Sequence, residues 1–344
     1  MSPGDSLRGP NPFERFVREQ GFFVLDGGLA TTLEARGFDL DDPLWSARVL
    51  AEAPDAIRRV HLDFLEAGAD CIATAGYQAT LEGFRRAGLG EAEAAELLRR
   101  SVRLGLEARD AFWSDPRNRE GRLRPLVAAG IGPYGAFLAD GSEYTGDYDL
   151  GEEGLLAFHR PRWEILAEAG ADLLACETIP SLPEARALLR LLEASPGTWA
   201  WLSFSCRDGE RVSDGSRFRD VVRACGEAAG RASAGGAEAG GAEAGAGAAA
   251  GAGVAAVGVN CTAPRHVASL LREARRVTEG LLLAYPNAGE TWDAERKAWS
   301  GGPGVPDWGE AARAWREAGA AGIGGCCRVG PGEIRRARGA LEAG

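Results

Sequence analysis

The chain has 344 residues, 45% of them apolar and 26% charged, which is ample apolar material for a large core. Its 39 basic and 50 acidic residues leave a net charge of −11, an acidic balance that argues against nonspecific binding to nucleic acid or to an anionic membrane. No run reaches the ~18 apolar residues that a bilayer span needs, and the opening MSPGDSLRGPNPFERF has no apolar signal core, so a cytoplasmic protein is expected.

Short apolar runs alternate with longer amphipathic stretches along the chain. The runs are Phe22–Leu25, Cys71–Ala73, Leu126–Ala129, Leu173–Ala175, Trp199–Ser205, Val254–Val259, Leu281–Tyr285 and Ala321–Gly324. Between them lie APDAIRRVHLDFLEAGA, EAEAAELLRRSVRLGLEARDAF, SLPEARALLRLLEA and PRHVASLLREARRV, whose apolar residues recur at the three- and four-residue spacing of a helix packed on a sheet. Pro183 and Pro264 stand near the starts of the last two, where a missing N–H is harmless. Near-identical turns at Glu66–Asp70, Glu168–Asp172 and Glu317–Ala321 end three helices with a glycine suited to a left-handed cap. Each strand is followed by a crossover long enough for a helix, so the expected fold is α/β, a single (β/α)8 TIM barrel spanning 1–344, with an open doubly wound sheet as the rival. Gly130–Gly135 (GIGPYG) matches a dinucleotide-binding GxGxxG, but it carries Pro133 inside the loop. The AFLADGSEYTGDY that follows does not read as the required helix. From Gly226 to Gly253, 23 of 28 residues are Gly or Ala, with GGAEA twice in tandem. That composition reads as a flexible surface insertion at about 226–253.

In such a barrel the active-site residues sit at the C-terminal ends of the strands and in the loops after them. Those positions hold Asp26; Thr74, Tyr77 and Gln78; Tyr134; Glu177; Ser205 and Cys206; Asn260 and Cys261; Pro286 and Asn287; and Cys326 and Cys327. The chain has seven cysteines and only three histidines, so a metal or nucleophilic site must lean on thiols and carboxylates. Cys71, Cys176 and Cys225 read as buried hydrophobes and Cys206 as a loop residue; His61, His159 and His266 read as structural or solvated. Cys261, Cys326 and Cys327 stand at the ends of strands six and eight, near neighbours around a closed barrel. Three thiols without a nearby histidine suit a soft tetrahedral ion, zinc being the commonest, with one position left open for a ligand. A vicinal redox disulfide between Cys326 and Cys327, in a metal-free sensing barrel, is the competing use of that pair. Glu177, in ACETIP at a strand end, suits a cationic group such as an ammonium, whereas Asp26 fits equally well as a turn residue of its Gly-Gly loop.

Taken together, LDGGLATTLEARG, HLDFLEAGADCIATAGYQAT, GPYGAFLADGSEYTGDY, ACETIPSLPEA, GVNCTAP, AYPNAGETWD and GIGGCCRVGP resemble the homocysteine S-methyltransferases, from about Phe22 to Arg336. The likeness is to the branch using S-methylmethionine or S-adenosylmethionine, with a betaine-dependent relative as the alternative. The resemblance implies a (β/α)8 barrel that forms methionine from homocysteine and a sulfonium methyl donor. It implies one Zn2+ per chain on Cys261, Cys326 and Cys327. It also implies that Asp26 and Glu177 hold the homocysteine amino group, that Thr74 lines the same pocket, and that Asn260 stands beside the first ligand. Partners are then small molecules, with no nucleic acid and no membrane, in a monomer or small homo-oligomer. Gly76 stands where relatives commonly carry Ser, and Val329–Gly330 where Thr-Thr is frequent; neither touches an implied ligand.

Overall fold

The computed structural model describes residues 10–40, 46–238, 253–289, 291–293, 298–300 and 304–344. Eight parallel strands form one sheet: β1 (Phe23–Val24), β2 (Cys71–Ala73), β3 (Leu126–Ile131), β4 (Leu173–Ile179), β5 (Trp199–Phe204), β6 (Gly253–Asn260), β7 (Leu282–Tyr285) and β8 (Gly322–Ile323). The order around the sheet is β1-β8-β7-β6-β5-β4-β3-β2. The two ends meet. Leu25 and Cys71 form a parallel bridge, Asp26 N donates to Cys71 O at 3.1 Å, and Asp70 N donates to Val24 O at 2.6 Å. All eight expected strands are present, and the closed parallel ring is a (β/α)8 barrel.

The crossovers carry helices α1 (Pro54–Glu66), α2 (Glu91–Ser114), α3 (Glu152–Ala167), α4 (Leu182–Glu193), α5 (Phe218–Glu238), α6 (Pro264–Arg275), α7 (Trp308–Glu317) and α8 (Pro331–Glu342). Pro264 opens α6 at its first position, and the Ser181 hydroxyl accepts Glu184 N at the start of α4. The three expected turn glycines, Gly68, Gly170 and Gly319, have φ of 110°, 89° and 113°, in the left-handed region. Two expectations need adjustment. Ala136–Leu138, the start of the stretch read as non-helical, belong to a short helix at Tyr134–Leu138, followed by a 3-10 turn at Ser142–Tyr144. The Gly/Ala-rich stretch begins as helix, because α5 is anchored by buried Val221, Val222 and Cys225 and runs to Glu238. Residues 239–252 of that stretch lie outside those described.

Strand alternation divides the core into two layers. Inward-facing Phe23, Leu25, Cys71, Ala128, Leu173, Ala175, Trp201, Leu283 and Tyr285 fill the barrel, while Val24, Ile72, Val127, Leu174 and Leu202 pack outward against the helices. The N-terminal segment plugs the bottom. Phe13 stacks on Phe23 with ring centroids 4.1 Å apart, and Asn11 Nδ2 donates to Ala255 O at 2.8 Å. With one end plugged and the interior filled, the open end is the one where the strands finish.

Candidate active site

Three loops meet at that open end. At the top of β6, Asn260 and Thr262 are fixed first: the Thr262 hydroxyl donates to Asn260 O at 2.9 Å and accepts Cys206 N from the end of β5 at 3.0 Å. Cys261, between them, is held at φ 45°, a region that non-glycine residues rarely occupy. Beyond β8, the Gly-Gly-Cys-Cys loop is pinned to both neighbours. Gly325 N donates to Asp26 O at 2.9 Å, Cys326 N to Pro286 O at 2.8 Å, and Ala288 N to Cys327 O at 3.0 Å. The result is a cluster of sulfur atoms. Cys261 Sγ lies 3.2 Å from Cys326 Sγ and 3.5 Å from Cys327 Sγ, and the latter two are 4.0 Å apart. Hydrogen bonds from the two neighbouring thiols pull the Cys261 thiol well below its ordinary value, and the same contacts push Cys326 and Cys327 up. Among the described residues these three cysteines form a group able to hold a metal ion.

Two buried carboxyls stand at the same end, Glu177 near enough to feel the Cys261 charge and Asp26 near enough to Glu177 to raise it. Asp26 is 7% exposed, and burial pushes its pKa up to about 8, against the pull of Ala73 N donating to Oδ2 at 2.9 Å. Glu177 lies two residues before the end of β4, in the stretch where the register with β5 shifts, and its carboxyl sits beside Gly130: a side chain there would begin 3.4 Å from Glu177 Oε1. Burial, then the neighbouring Asp26 charge, pushes Glu177 up to about 8, while the Tyr285 hydroxyl bonds to it and pulls the other way. Tyr285 is itself fixed by Trp201 Nε1 donating to its oxygen at 2.9 Å. A pair of carboxyls that water does not solvate well is a site for a cation with several donors.

The other two expected residues are placed differently. Thr74 is the fourth residue from Cys71, so alternation turns its side chain outward. Its hydroxyl accepts Gly130 N at 3.2 Å, and a Cβ on Gly105 of α2 would stand 3.1 Å from its methyl carbon. It ties β2 to β3 and does not line the mouth. Asn260 faces inward but is fully occupied: Oδ1 accepts Thr178 N at 2.8 Å, and Nδ2 donates to Thr178 Oγ1 at 2.7 Å and approaches Cys326 Sγ at 3.9 Å. Thr178 has φ 61°. Asn260 therefore bridges the two left-handed residues, Thr178 next to Glu177 and Cys261 next to itself, and sets the carboxylate and the thiolate relative to each other.

A profile described as homocysteine S-methyltransferase matches residues 23–341. The homocysteine S-methyltransferase YbgG of Bacillus subtilis is 46% identical over 325 residues, covering 94% of this chain and 96% of its own. That of Escherichia coli is 45% identical over 325 residues, with the same coverage of 94% and 96%. The metallated form of the E. coli homocysteine methyltransferase MmuM superposes with a TM-score of 0.79 at 42% identity, covering 97% of this chain and 99% of that one. The chain belongs to the homocysteine S-methyltransferase family.

As a homocysteine S-methyltransferase, the chain places further residues at the mouth: Glu143 and Tyr144, which its sequence did not single out, and Tyr77, expected there but without a role. The Tyr144 hydroxyl lies 3.6 Å from Cys261 Sγ. Beside it, Glu143 is pushed up to about 7, chiefly by burial and then by its own surroundings, the Cys261 charge among them. Tyr77 bonds to Thr178 and so joins the Asn260 bridge. All three belong to motifs that carried the family likeness, YQAT and GSEYTGDY, without showing what each residue does. Behind them, Glu184 Oε1 accepts Tyr134 N at 2.6 Å and meets His159 Nε2 at 2.7 Å, and the Tyr148 hydroxyl donates to its other oxygen. His159 is structural, as expected. Cys71, Cys176 and Cys225 are buried away from the sulfur cluster, and all seven cysteines are free thiols.

Proposed function

We propose that the protein transfers a methyl group from a sulfonium donor, S-methylmethionine or S-adenosylmethionine, to the thiol of L-homocysteine, forming methionine, with one zinc ion held by Cys261, Cys326 and Cys327. The observation that carries this reading is the convergence of three sulfurs, 3.2, 3.5 and 4.0 Å apart, beside two desolvated carboxyls at the barrel mouth. Sulfurs at the vertices of a tetrahedron around zinc, at a bond length of ~2.3 Å, stand roughly 3.8 Å apart, so the spacing and the soft donor set both fit the ion. Three protein donors leave a fourth position for the substrate. Bound there, zinc would keep the homocysteine sulfur as a thiolate at neutral pH.

The chain's own residues supply the rest. Asp26 and Glu177, each needing a cation to be comfortable as an anion, take the homocysteine ammonium and aim its side chain at the sulfur cluster. A lone pair on the homocysteine sulfur forms the new S–CH3 bond while the donor's CH3–S+ bond breaks, its electron pair staying on the departing sulfur. The thiolate and the sulfonium both become neutral thioethers. Attraction between opposite charges is stronger and their hydration poorer in a mouth walled by Tyr77, Tyr144 and Tyr285, so charge cancellation is favoured there. No proton transfer accompanies the step, in keeping with histidines that stay out of the site.

The metal-free redox barrel is less well supported. Cys261 lies closer to each vicinal sulfur than these lie to one another, so the pair is not an isolated unit. Free thiols throughout and the acidic surface suit a reducing cytoplasm. No helix among the described residues is long and apolar enough to cross a membrane.

Cys261→Ala tests the reading. The reduced wild-type chain should carry close to one zinc and form methionine from homocysteine with a sulfonium donor; the variant should lose the metal and at least about 1000-fold in kcat/KM. Full activity in Cys261→Ala, or a metal-free and active wild type, would overturn it. A panel of S-methylmethionine, S-adenosylmethionine and betaine identifies the donor.

A further inference from the structure

Glu143 carries a feature that the homocysteine side of the site does not use. Its Oε2 is buried without a hydrogen-bond partner. An unpaired carboxylate oxygen shielded from water costs on the order of 1–3 kcal/mol or more, so its retention calls for a counter-charge. The backbone under it is tightly constrained. Ser205 Oγ donates to Glu143 O at 3.0 Å, and a Cβ on Gly135 would stand 2.3 Å from Glu143 N, so the Gly135 segment packs directly against the loop. Tyr144, the next residue, reaches Cys261 Sγ at 3.6 Å. Glu143 is thus held, by a loop with almost no slack, next to the sulfur cluster. Its charge is felt by Cys261 and by the hydroxyls of Tyr77 and Tyr144.

No arginine or lysine bonds to this carboxylate among the described residues. A cation must then come from a ligand. Building on the methyl-transfer reading above, two cationic groups enter the site. The homocysteine ammonium has Asp26 and Glu177. The other is the positive sulfur of the donor, which has to lie within one methyl group of the accepting sulfur, and so next to the cluster. We propose that Glu143, with the side chains of Tyr77 and Tyr144 nearby, binds the sulfonium of the methyl donor. The carboxylate offers the charge that a sulfonium needs, and the tyrosines add aromatic surface near it for a soft cation carrying methyl groups. Such a site holds the donor only while the donor is charged. Once the methyl has moved, the thioether has nothing for the carboxylate to grip, and product leaves. Because the contact is strongest before transfer, it acts on donor binding more than on the chemical step.

The test is Glu143→Gln, with Glu143→Asp beside it, in the full zinc-loaded chain. The KM for S-methylmethionine should rise about tenfold or more in Glu143→Gln, with kcat changed by less than about threefold. The KM for homocysteine and the zinc content should stay within about twofold of wild type, and Glu143→Asp should recover part of the loss. Calorimetry with S-methylmethionine in the absence of homocysteine reads the contact without turnover: wild type should bind and Glu143→Gln should bind at least about tenfold more weakly. An unchanged donor KM, a parallel rise in both substrates' KM, loss of zinc from Glu143→Gln, or equal calorimetric affinity would each overturn the assignment. A wild type that binds S-methylmethionine but turns over no sulfonium would instead sink the methyl-transfer reading.

Discussion

Asp26 and Glu177 show how a single residue's environment sets both binding and stability. Both carboxyls are pushed up to about 8, first by burial. The direction matters: a folded-state value above the unfolded one means that the native, substrate-free protein holds protons that the unfolded chain has released. That part of its stability is present at low pH and lost as pH rises from about 4 through about 8. An ammonium replaces the proton. Homocysteine binding at pH 7 should therefore release protons, seen as a dependence of the calorimetric heat on the buffer's ionisation enthalpy. Asp26→Asn should bind homocysteine at least about 100-fold more weakly, release fewer protons, and be more stable than wild type without ligand, by about 1–3 kcal/mol. Its amide oxygen can still accept Ala73 N, so the loop is kept. A variant that binds normally, or releases as many protons, would show that the carboxyl is a turn residue only.

At the scale of an element, α1 carries a titratable group that the site does not use. His61 is fully buried on it, neither ring nitrogen has a partner, and burial lowers its pKa to about 4 from 6.5. The unfolded chain therefore takes up a proton between pH 6.5 and about 4 that the folded helix refuses, and stability falls as pH drops through that window. His61→Leu, which puts a similar volume of carbon in the same place, should flatten the pH dependence of chemical denaturation between about pH 4.5 and 6.5. It should leave stability at pH 7.5 equal or higher. An unchanged slope would mean that some other group dominates the acid limb. The strand ends follow the same logic in reverse: Thr178 near the end of β4 and Cys261 just after β6 are left-handed residues, and the Asn260 amide between them offsets the backbone cost with two buried hydrogen bonds to Thr178.

For the whole molecule, the closed ring separates stability from chemistry. The barrel bottom is sealed by Phe13, which is fully buried against Phe23 and also meets Trp201 at 5.9 Å between centroids. The seam between β1 and β2 is held by Asp70, which accepts Val24 N at 2.9 Å and Arg338 Nη1 at 2.6 Å. The sulfur cluster and the carboxyls lie at the opposite end. Phe13→Ala should therefore cost roughly 3–5 kcal/mol and lower the thermal midpoint by roughly 5–10 °C, with kcat below the transition within about twofold of wild type. Loss of activity without loss of stability would show that the plug communicates with the mouth.

The alternation of apolar runs with amphipathic stretches gave eight parallel strands with covering helices from the sequence alone, because burial on both faces of a parallel strand and on one face of a covering helix leaves distinct periodicities. Closure between β1 and β2 decided for the barrel over an open doubly wound sheet. The same pattern put Asp26, Glu177, Cys261, Cys326 and Cys327 at strand ends. What the sequence could not hold was distance and facing. Cys261 and Cys326 are 65 residues apart and 3.2 Å apart, and only ring closure makes those compatible. Thr74 just follows β2 and Asn260 ends β6, yet one step in the pleat sends Thr74 to the helix layer and Asn260 to the interior. Glu143 stands in a loop whose position depends on Gly135 and Ser205, contributed by other segments, and no local pattern encodes such a contact. Residue types and their spacing specified the available chemistry; the tertiary structure decided which of those groups meet, because meeting depends on closure, pleat parity and loop packing.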